Sequence, residues 1–165
     1  MTNRPSEFDL IATYFAPLSA SEPGAFQLSD DAAIVTPPPG QSLVVTTDAL
    51  VEGVHFLSSD APEDIAAKLL RVSLSDLASM GARPASYSLA IAVPAGITSE
   101  WFKAFSQNLA EDQQEFAITL IGGDTVSTTG PLTLSLNAMG FVETGNGLRR
   151  NGAQIGDDIW VSGTI

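Results

Sequence analysis

Alternating hydrophobic and polar residues along the chain predict several β-strands. Between residues 132 and 138 every second position is Leu or Ala and the positions between them are polar, which is typical of a strand with one buried face. A continuous apolar run, Leu43 to Val45, predicts a buried strand at 42–47 that ends at Asp48. The remaining predicted strands are 31–35, 86–93, 117–121 and 158–162.

Apolar residues at helical spacing predict three helices, one before the first strand and two between later strands. The first extends from Ser6 to about Phe15, with Phe8, Ile11, Ala12 and Phe15 on one apolar stripe. The other two are a helix that opens at Ser58 or Ser59 and stops at Gly81, and a helix with Thr98 as its N-cap that continues to about Phe116.

Strands and helices that alternate along the chain place it in the α+β class, as an α/β sandwich. The long alternating strand favours a mixed, largely antiparallel sheet with helices on one face. A length of 165 residues is enough for one domain with a substantial core, so residues 1–165 are interpreted as a single domain.

The charge of the chain restricts the partners that it can bind. The formal net charge is −12, from 19 acidic and 7 basic residues, so neither nucleic acid nor an anionic membrane is expected as a partner. Lys68 and Lys103 are the only lysines. If the protein handles a polyphosphate, bound metal would therefore have to supply most of the neutralising charge. Acidity that only aids solubility is the alternative.

Other features of the composition exclude further classes. The chain has no cysteine, which rules out disulfides and thiolate metal sites. No apolar run approaches the length of a membrane span, and the first residues lack the apolar stretch of a secretory signal peptide. A cytoplasmic protein is therefore expected.

Aspartates at the predicted ends of strands are the candidates for chemistry. Asp31 precedes a strand, Asp48 ends another, and Asp124 follows a third. Carboxylates at such positions can converge on one cleft, where their oxygen atoms suit Mg²⁺, Mn²⁺ or Ca²⁺. Asp30 is adjacent to Asp31 and is expected to point the opposite way on an extended segment, so only one of the pair is expected to bind metal.

A fourth aspartate, Asp76, lies on the second predicted helix. It shares a face with Ile65, Leu69 and Val72, at steps of three and four residues. Asp76 is therefore expected on or beside the stripe that otherwise looks buried. An acid on such a stripe needs a partner, and a metal ion or an arginine is the expected one.

Structural explanations compete with the functional ones at each of these positions. A single aspartate at a strand end, or after Gly122-Gly123, is more often a turn or cap residue. Thr46 and Thr47 could add metal ligands, although β-branched residues also favour strands without any function. The lone His55 is more often a satisfied structural residue. The pair Arg149-Arg150 is either a solvated loop or a contact for a nucleotide phosphate. The P-loop and protein-kinase motifs are absent.

Residues 46–56, TTDALVEGVHF, resemble the signature of the thiamine-monophosphate kinase family. The family transfers the terminal phosphate of ATP to thiamine monophosphate, which gives thiamine diphosphate and ADP. Its fold is similar to that of aminoimidazole-ribonucleotide synthetase and selenophosphate synthetase. Further stretches agree with the family in order and spacing: 29–33, 73–82, 121–125, 150–153 and 156–158.

The resemblance implies a role for particular residues. His55 would face thiamine monophosphate, and Gly123, Asp124 and Arg150 would contact ATP. Direct in-line transfer between two anions would need alignment and charge stabilisation rather than a strong general base. The implied ligands of several Mg²⁺ ions are Asp31, Thr46, Thr47, Asp48, Asp76 and Asp124.

The resemblance also implies an assembly and a larger protein. Family members form homodimers in which the sheets of two subunits pair into a barrel-like core. The family continues into a second, C-terminal domain, so the 165 residues are expected to be an N-terminal ATP- and metal-binding domain that is inactive alone. Ser29 replaces the usual glycine before the paired aspartates, and Phe116 replaces a tyrosine near the nucleotide.

Two other interpretations remain open from the sequence. One is another ATP-using member of the same superfamily, such as a selenophosphate synthetase, although no catalytic cysteine or lysine stands near the N-terminus. The other is a non-catalytic acidic module that binds divalent metal and dimerises.

Overall fold

Four strands form a single mixed sheet. A computed structural model describes residues 6–161 and residue 163. The strand order is β1-β4-β2-β3, with β4 antiparallel to both of its neighbours and β3 parallel to β2. The four strands are β1 (Gln41–Val51), β2 (Arg83–Val93), β3 (Thr119–Ser127) and β4 (Thr133–Glu143).

Helices cover one face of this sheet, and the core lies between the two layers. The short α1 (Glu7–Leu10) precedes the longer α2 (Pro62–Ser79) and α3 (Ser99–Phe116). Leu69 of α2 and Leu109 of α3 are completely buried, and so are alternate residues of the sheet beneath them. The predicted α+β class, with a mixed, largely antiparallel sheet and helices on one face, is confirmed.

The alternating strand at 132–138 is confirmed as part of β4, where Leu134, Leu136 and Ala138 are all fully buried. The strand predicted at 42–47 is also present, but it does not end at Asp48 because β1 continues to Val51. The burial predicted for the apolar run is wrong at Leu43 and Val45, which are 43% and 57% exposed. Alternate side chains of β1 point away from the helices, so an unbroken apolar run cannot be buried on both faces.

Two of the predicted strands are not formed. Residues 31–35 contain a bend followed by unpaired backbone, and the only described backbone bond from this stretch joins the Ile34 N–H to the Gly24 carbonyl. The prolines at 37–39 lack the N–H groups that would extend a ladder. Residues 158–161 are likewise irregular, and Ser162 lies outside the described residues.

The ends of the two long helices agree in part with the prediction. Thr98 caps α3, where its hydroxyl oxygen accepts a hydrogen bond from the Trp101 N–H at 3.3 Å. Gly81 has the left-handed conformation predicted for the end of α2, with φ of +71°. The start predicted at Ser58 or Ser59 is wrong. These residues lie in a turn, and α2 begins at Pro62.

The first helix has a different buried stripe from the predicted one. α1 continues as a π-helical turn, Ile11–Phe15, in which the Ala16 N–H bonds to the Ile11 carbonyl. A π turn contains more residues than an α turn, so it rotates the following side chains around the axis. Phe8, before this turn, is 81% exposed and Ala12 is also exposed, whereas Leu10 and Phe15 are buried.

An ion pair between an exposed arginine and a buried aspartate, which the sequence did not reveal, joins the two long helices. The Arg71 guanidinium on α2 donates to both carboxylate oxygens of Asp112 on α3, at 2.7 and 3.1 Å. Asp112 is 1% exposed, and its hydrogen bond and negative charge raise the pKa of Arg71. Beside the pair, the Gln113 amide donates to the Tyr87 hydroxyl, and burial raises the pKa of Tyr87.

Removing the arginine should destabilise the protein because it leaves a buried carboxylate without its partner. We expect Arg71→Ala to lower the midpoint of urea denaturation clearly below that of the wild-type protein. Arg149→Ala, in an exposed turn, is the control and should change the stability by less than about 0.5 kcal/mol. Equal losses in the two variants would show that the ion pair contributes nothing.

Candidate metal and nucleotide site

Two hydrogen bonds connect β1 to α2 and hold two of the predicted ligand carboxylates. The Thr46 hydroxyl donates to Asp76 Oδ2 at 2.8 Å, and the Ser73 hydroxyl donates to Asp48 Oδ2 at 3.0 Å. Thr46 and Asp48 are two residues apart on the strand and therefore share a face. Ser73 and Asp76 are three residues apart on the helix and are also neighbours. The structure thus brings Thr46, Asp48 and Asp76 together.

The surroundings of these two aspartates differ from the prediction. Asp48 lies inside β1 rather than at its end. Asp76 is exposed, so of the two expected positions, on the buried stripe or beside it, the structure shows the second. The helix buries Ser73 and Leu77 instead, and Asp76 lies at the edge of that stripe. Its partner within the chain is the Thr46 hydroxyl rather than an arginine.

Thr47 lies on the opposite face of the sheet from Thr46 and Asp48. Its hydroxyl donates to Asn137 Oδ1 at 2.6 Å, and the Asn137 amide donates to the Ser88 hydroxyl at 3.4 Å. The three residues are direct neighbours across β1, β4 and β2, so they form a polar row on the face without helices. The two predicted threonine ligands are therefore separated by the sheet.

A cavity of about 270 Å³ collects the other predicted residues beside β3. Asp30, Asp31, Gly123 and Asp124 all line it. Residues 30–32 form a bend and not an extended strand, so the reason for expecting Asp30 and Asp31 to point opposite ways does not apply to this loop. The rest of the lining is mostly apolar and comes from the first helical segment, the 3₁₀ helix before Asp30 and the sheet: Ile11, Phe15, Leu28, Leu89, Ile91, Leu120 and Ile121.

The two glycines before Asp124 are part of β3 and do not form the turn that the sequence suggested. A Cβ atom on Gly123 would overlap the carbonyl oxygen of Leu89 and lie 2.9 Å from its carbonyl carbon. Gly123 is therefore required because β3 passes close to β2, next to an irregularity in the register after Tyr87. A Cβ atom on Gly122 would meet nothing within 4 Å. Of the two positions, only 122 therefore has room for a side chain.

His55 belongs to a tight loop that follows β1. Its ring Nδ1 accepts a hydrogen bond from the Val51 N–H at 3.0 Å, and the Lys68 ammonium group donates to its carbonyl oxygen. Glu52 ties the same loop to β4, because its carboxylate accepts from the Leu132 N–H at 3.2 Å. His55 is exposed, so the structural contact at Nδ1 leaves Nε2 accessible.

Arg150 lies in an exposed turn, where the Gly152 N–H bonds to the Arg149 carbonyl at 3.0 Å. It is not among the residues that line the cavity at β3. The structure therefore does not itself place Arg150 with Gly123 and Asp124.

The donor atoms fit Mg²⁺ in kind, and their arrangement limits how the ion is held. All the predicted ligand side chains are carboxylates or hydroxyls, which Mg²⁺ prefers. Within residues 6–161 and 163, no three acidic or histidine side chains are close enough together to hold a metal ion. Mg²⁺ commonly binds to one or two carboxylates and completes its shell with phosphate oxygens. A site of that kind fits the separate groups of acids at β1 and β3.

No helix in the described part of the chain is both long enough and apolar enough to cross a membrane.

A mixed sheet with helices on one face and oxygen donors along its strands defines an α+β domain with two layers. The chain belongs to the family described as AIR synthase related protein, N-terminal domain, whose sequence profile matches residues 29–142. The resemblance to the thiamine-monophosphate kinases is confirmed by the curated relative from Caulobacter vibrioides, which is 47% identical over 98% of this chain and 46% of that protein. The chain thus spans about half the length of the curated relatives that it matches.

Solved structures agree with this assignment. The crystal structure of thiamine-monophosphate kinase from Stenotrophomonas maltophilia matches with a TM-score of 0.76 and 50% identity, over 83% of this chain and 42% of that one. The structure of AaThiL complexed with AMPPCP and TMP matches with a TM-score of 0.61 and 27% identity, over 69% of this chain and 36% of that one.

The two glycines provide a matched test of the account of β3. We expect Gly123→Ala to lower the free energy of unfolding by about 1–3 kcal/mol or more, because the new methyl group must displace the backbone of β2. Gly122→Ala should fold with nearly wild-type stability, since the added atom meets open space. Both are measured by thermal and urea denaturation. A Gly123→Ala variant as stable as Gly122→Ala would contradict the close approach of the two strands.

Proposed function

We propose that this chain is the ATP- and Mg²⁺-binding domain of a kinase that phosphorylates thiamine monophosphate to thiamine diphosphate. The observation that carries the proposal is the 47% identity to a thiamine-monophosphate kinase over nearly the whole chain. The match to AaThiL complexed with AMPPCP and TMP supports ATP and thiamine monophosphate as the two ligands. In this proposal the remaining half of the relatives' length corresponds to a second domain that completes the site.

Charge is the main obstacle to the proposed reaction. Two phosphate-bearing anions must approach each other on a chain of net charge −12. Two of the few cationic side chains are already committed, because Lys68 bonds to the His55 carbonyl and Arg71 is paired with Asp112. Mg²⁺, when bound, would neutralise phosphate charge and help to align the reacting groups.

The residues of the chain would bind and orient the two substrates. Asp48 and Asp76 are held by hydroxyl groups on neighbouring elements, so their carboxylates are oriented before any ligand binds. Asp31 and Asp124 line the cavity at β3, where Gly122 leaves open space for phosphate oxygens. The attacking phosphate oxygen of thiamine monophosphate is already anionic near neutral pH, so no residue is needed to remove a proton.

Three further assignments belong to the same proposal. His55 would contact thiamine monophosphate through Nε2, the ring nitrogen that its loop leaves accessible. Arg150 would contact ATP, together with Gly123 and Asp124. Thr47 would contribute its hydroxyl oxygen as a Mg²⁺ ligand from the other face of the sheet. We place the reaction in the cytoplasm.

We also propose that the protein is a homodimer that pairs the sheet faces opposite the helices. Leu43 and Val45 are exposed on that face of β1, which is unusual for large apolar residues in so acidic a chain. Their neighbours on β4 are Phe141 and Met139, so the exposed residues continue as an uncharged surface across two strands. The polar row through Asn137 pairs its members with two hydrogen bonds of its own, which lowers the cost of burying it.

A charge in the middle of this face should prevent dimerisation. We expect Val45→Glu to convert the protein to a folded monomer, because the carboxylate would be buried without a partner. Light scattering after size-exclusion chromatography measures the mass, and circular dichroism checks the fold. Val54→Glu, at a loop residue that is 74% exposed, is the control and should leave the mass unchanged. A dimer that persists in Val45→Glu would place the interface elsewhere.

The metal-binding role of the two oriented aspartates is tested by removing their charges. In the full-length protein that carries this sequence, we expect Asp48→Asn and Asp76→Asn each to lower kcat about 100- to 1,000-fold, because charge stabilisation in the transition state is lost. Formation of thiamine diphosphate from thiamine monophosphate and Mg²⁺-ATP is the assay. Asp60→Asn, at a carboxylate that bonds to the Leu57 N–H in a turn, is the control.

The results separate the proposal from its rivals. Normal turnover in either folded aspartate variant would exclude the metal role. Titration calorimetry of the wild-type protein adds a second criterion: heat that depends on thiamine monophosphate supports the kinase, whereas binding of Mg²⁺ alone supports a metal-binding module without activity. A rate of ATP consumption that does not depend on thiamine monophosphate would indicate another reaction of the superfamily.

A further inference from the structure

Ser73 makes a contact unlike those of the other helical serines for which a bond is described. Ser79 on α2 and Ser106 on α3 donate their hydroxyl hydrogens to carbonyl groups three residues earlier, in their own helices. This local bond is the usual one for a serine within a helix. Ser73 instead donates across the layer between helix and sheet, to Asp48 Oδ2 at 3.0 Å.

The burial of Ser73 makes this contact specific. The residue is 0% exposed, so its hydroxyl cannot turn to solvent. A serine hydroxyl has one hydrogen to donate, and here it is directed at one oxygen of the Asp48 carboxylate. The carboxylate is thereby held in one rotation about its terminal bond, and its other oxygen, Oδ1, is left for a ligand.

We propose that Ser73 is a positioning residue that orients Asp48 for a divalent cation. The inference rests on the proposed function, because it assumes that Asp48 is a metal ligand. Hydrogen bonds to ligating carboxylates fix the geometry of the first coordination shell, and loss of such a partner commonly weakens metal binding 10- to 100-fold. The Thr46 hydroxyl performs the equivalent task for Asp76 on the adjacent turn of α2.

Three variants of the full-length protein separate orientation from simple packing. Ser73→Ala removes the hydroxyl, and Ser73→Thr retains it. Ser106→Ala is the matched control, since it removes a hydroxyl from a buried serine, 8% exposed, that bonds only within α3. Mg²⁺ affinity is measured by calorimetry with Mg²⁺ alone and with Mg²⁺ in the presence of AMPPCP. Melting temperatures without Mg²⁺ are recorded for all variants.

We expect Ser73→Ala to bind Mg²⁺ at least tenfold more weakly than wild type, while Ser106→Ala binds it with unchanged affinity. Ser73→Thr should recover most of the lost affinity. Equal Mg²⁺ affinity in Ser73→Ala and wild type would overturn the role of Ser73 while leaving the kinase proposal intact. A wild-type protein that binds no Mg²⁺ in either titration would overturn both. Equal weakening in Ser73→Ala and Ser106→Ala would show a packing effect and also overturn the role.

Discussion

In the described part of the chain, helices cover one face of the sheet and leave the other open, and the arrangement of the candidate site depends on this constraint. Side chains of β1 alternate between the two faces, so consecutive residues must serve different surroundings. Thr46 and Asp48 face α2, where they take part in the two hydroxyl–carboxylate bonds. Thr47 faces the other way and bonds to Asn137 on β4. A single strand therefore contributes to the candidate metal site on one side and to the exposed sheet face on the other.

The hydrogen bonds between β1 and α2 can form only if α2 is held in a fixed position against the sheet. The bidentate bond between Arg71 and the buried Asp112 joins α2 to α3, and both helices cover the same core. Because Ser73 and Arg71 are on the same helix, the packing that fixes α2 also fixes the direction of the Ser73 hydroxyl. The contacts between the helices and the sheet therefore both stabilise the fold and orient the carboxylates.

The features that follow from local chemistry were predictable from the sequence. β4 could be predicted because its residues alternate strictly between apolar and polar. The end of α2 could be predicted because glycine favours the left-handed conformation that Gly81 adopts there. The features that depend on tertiary contacts were not. Asp76 shares helical spacing with Leu69, but a difference of a few tens of degrees around the axis decides whether a residue is buried. Its exposure could not be read from spacing alone.

The candidate site shows the same division. The family resemblance predicted which residues to consider, and the structure brings Thr46, Asp48 and Asp76 together in one group. Ser73 begins the stretch 73–82 that agrees with the family, but the sequence predicted no role for it. No pattern in a single sequence distinguishes a hydroxyl that bonds to its own helix from one that bonds to a neighbouring strand. Gly123 was expected in a turn or at a phosphate contact. It lies in a strand instead of a turn, and the Leu89 backbone, which the sequence could not reveal, leaves no room for a side chain there.

The central claim is that an acidic domain supports phosphoryl transfer to thiamine monophosphate with the help of Mg²⁺. The most direct measurement is phosphorus NMR of a reaction of the purified full-length protein with ATP and thiamine monophosphate, with and without chelator. The account predicts equal amounts of ADP and thiamine diphosphate, formed only while Mg²⁺ is free to bind. Formation of ADP with inorganic phosphate and without thiamine diphosphate would contradict it, and so would product formation that continues after the chelator has removed the metal.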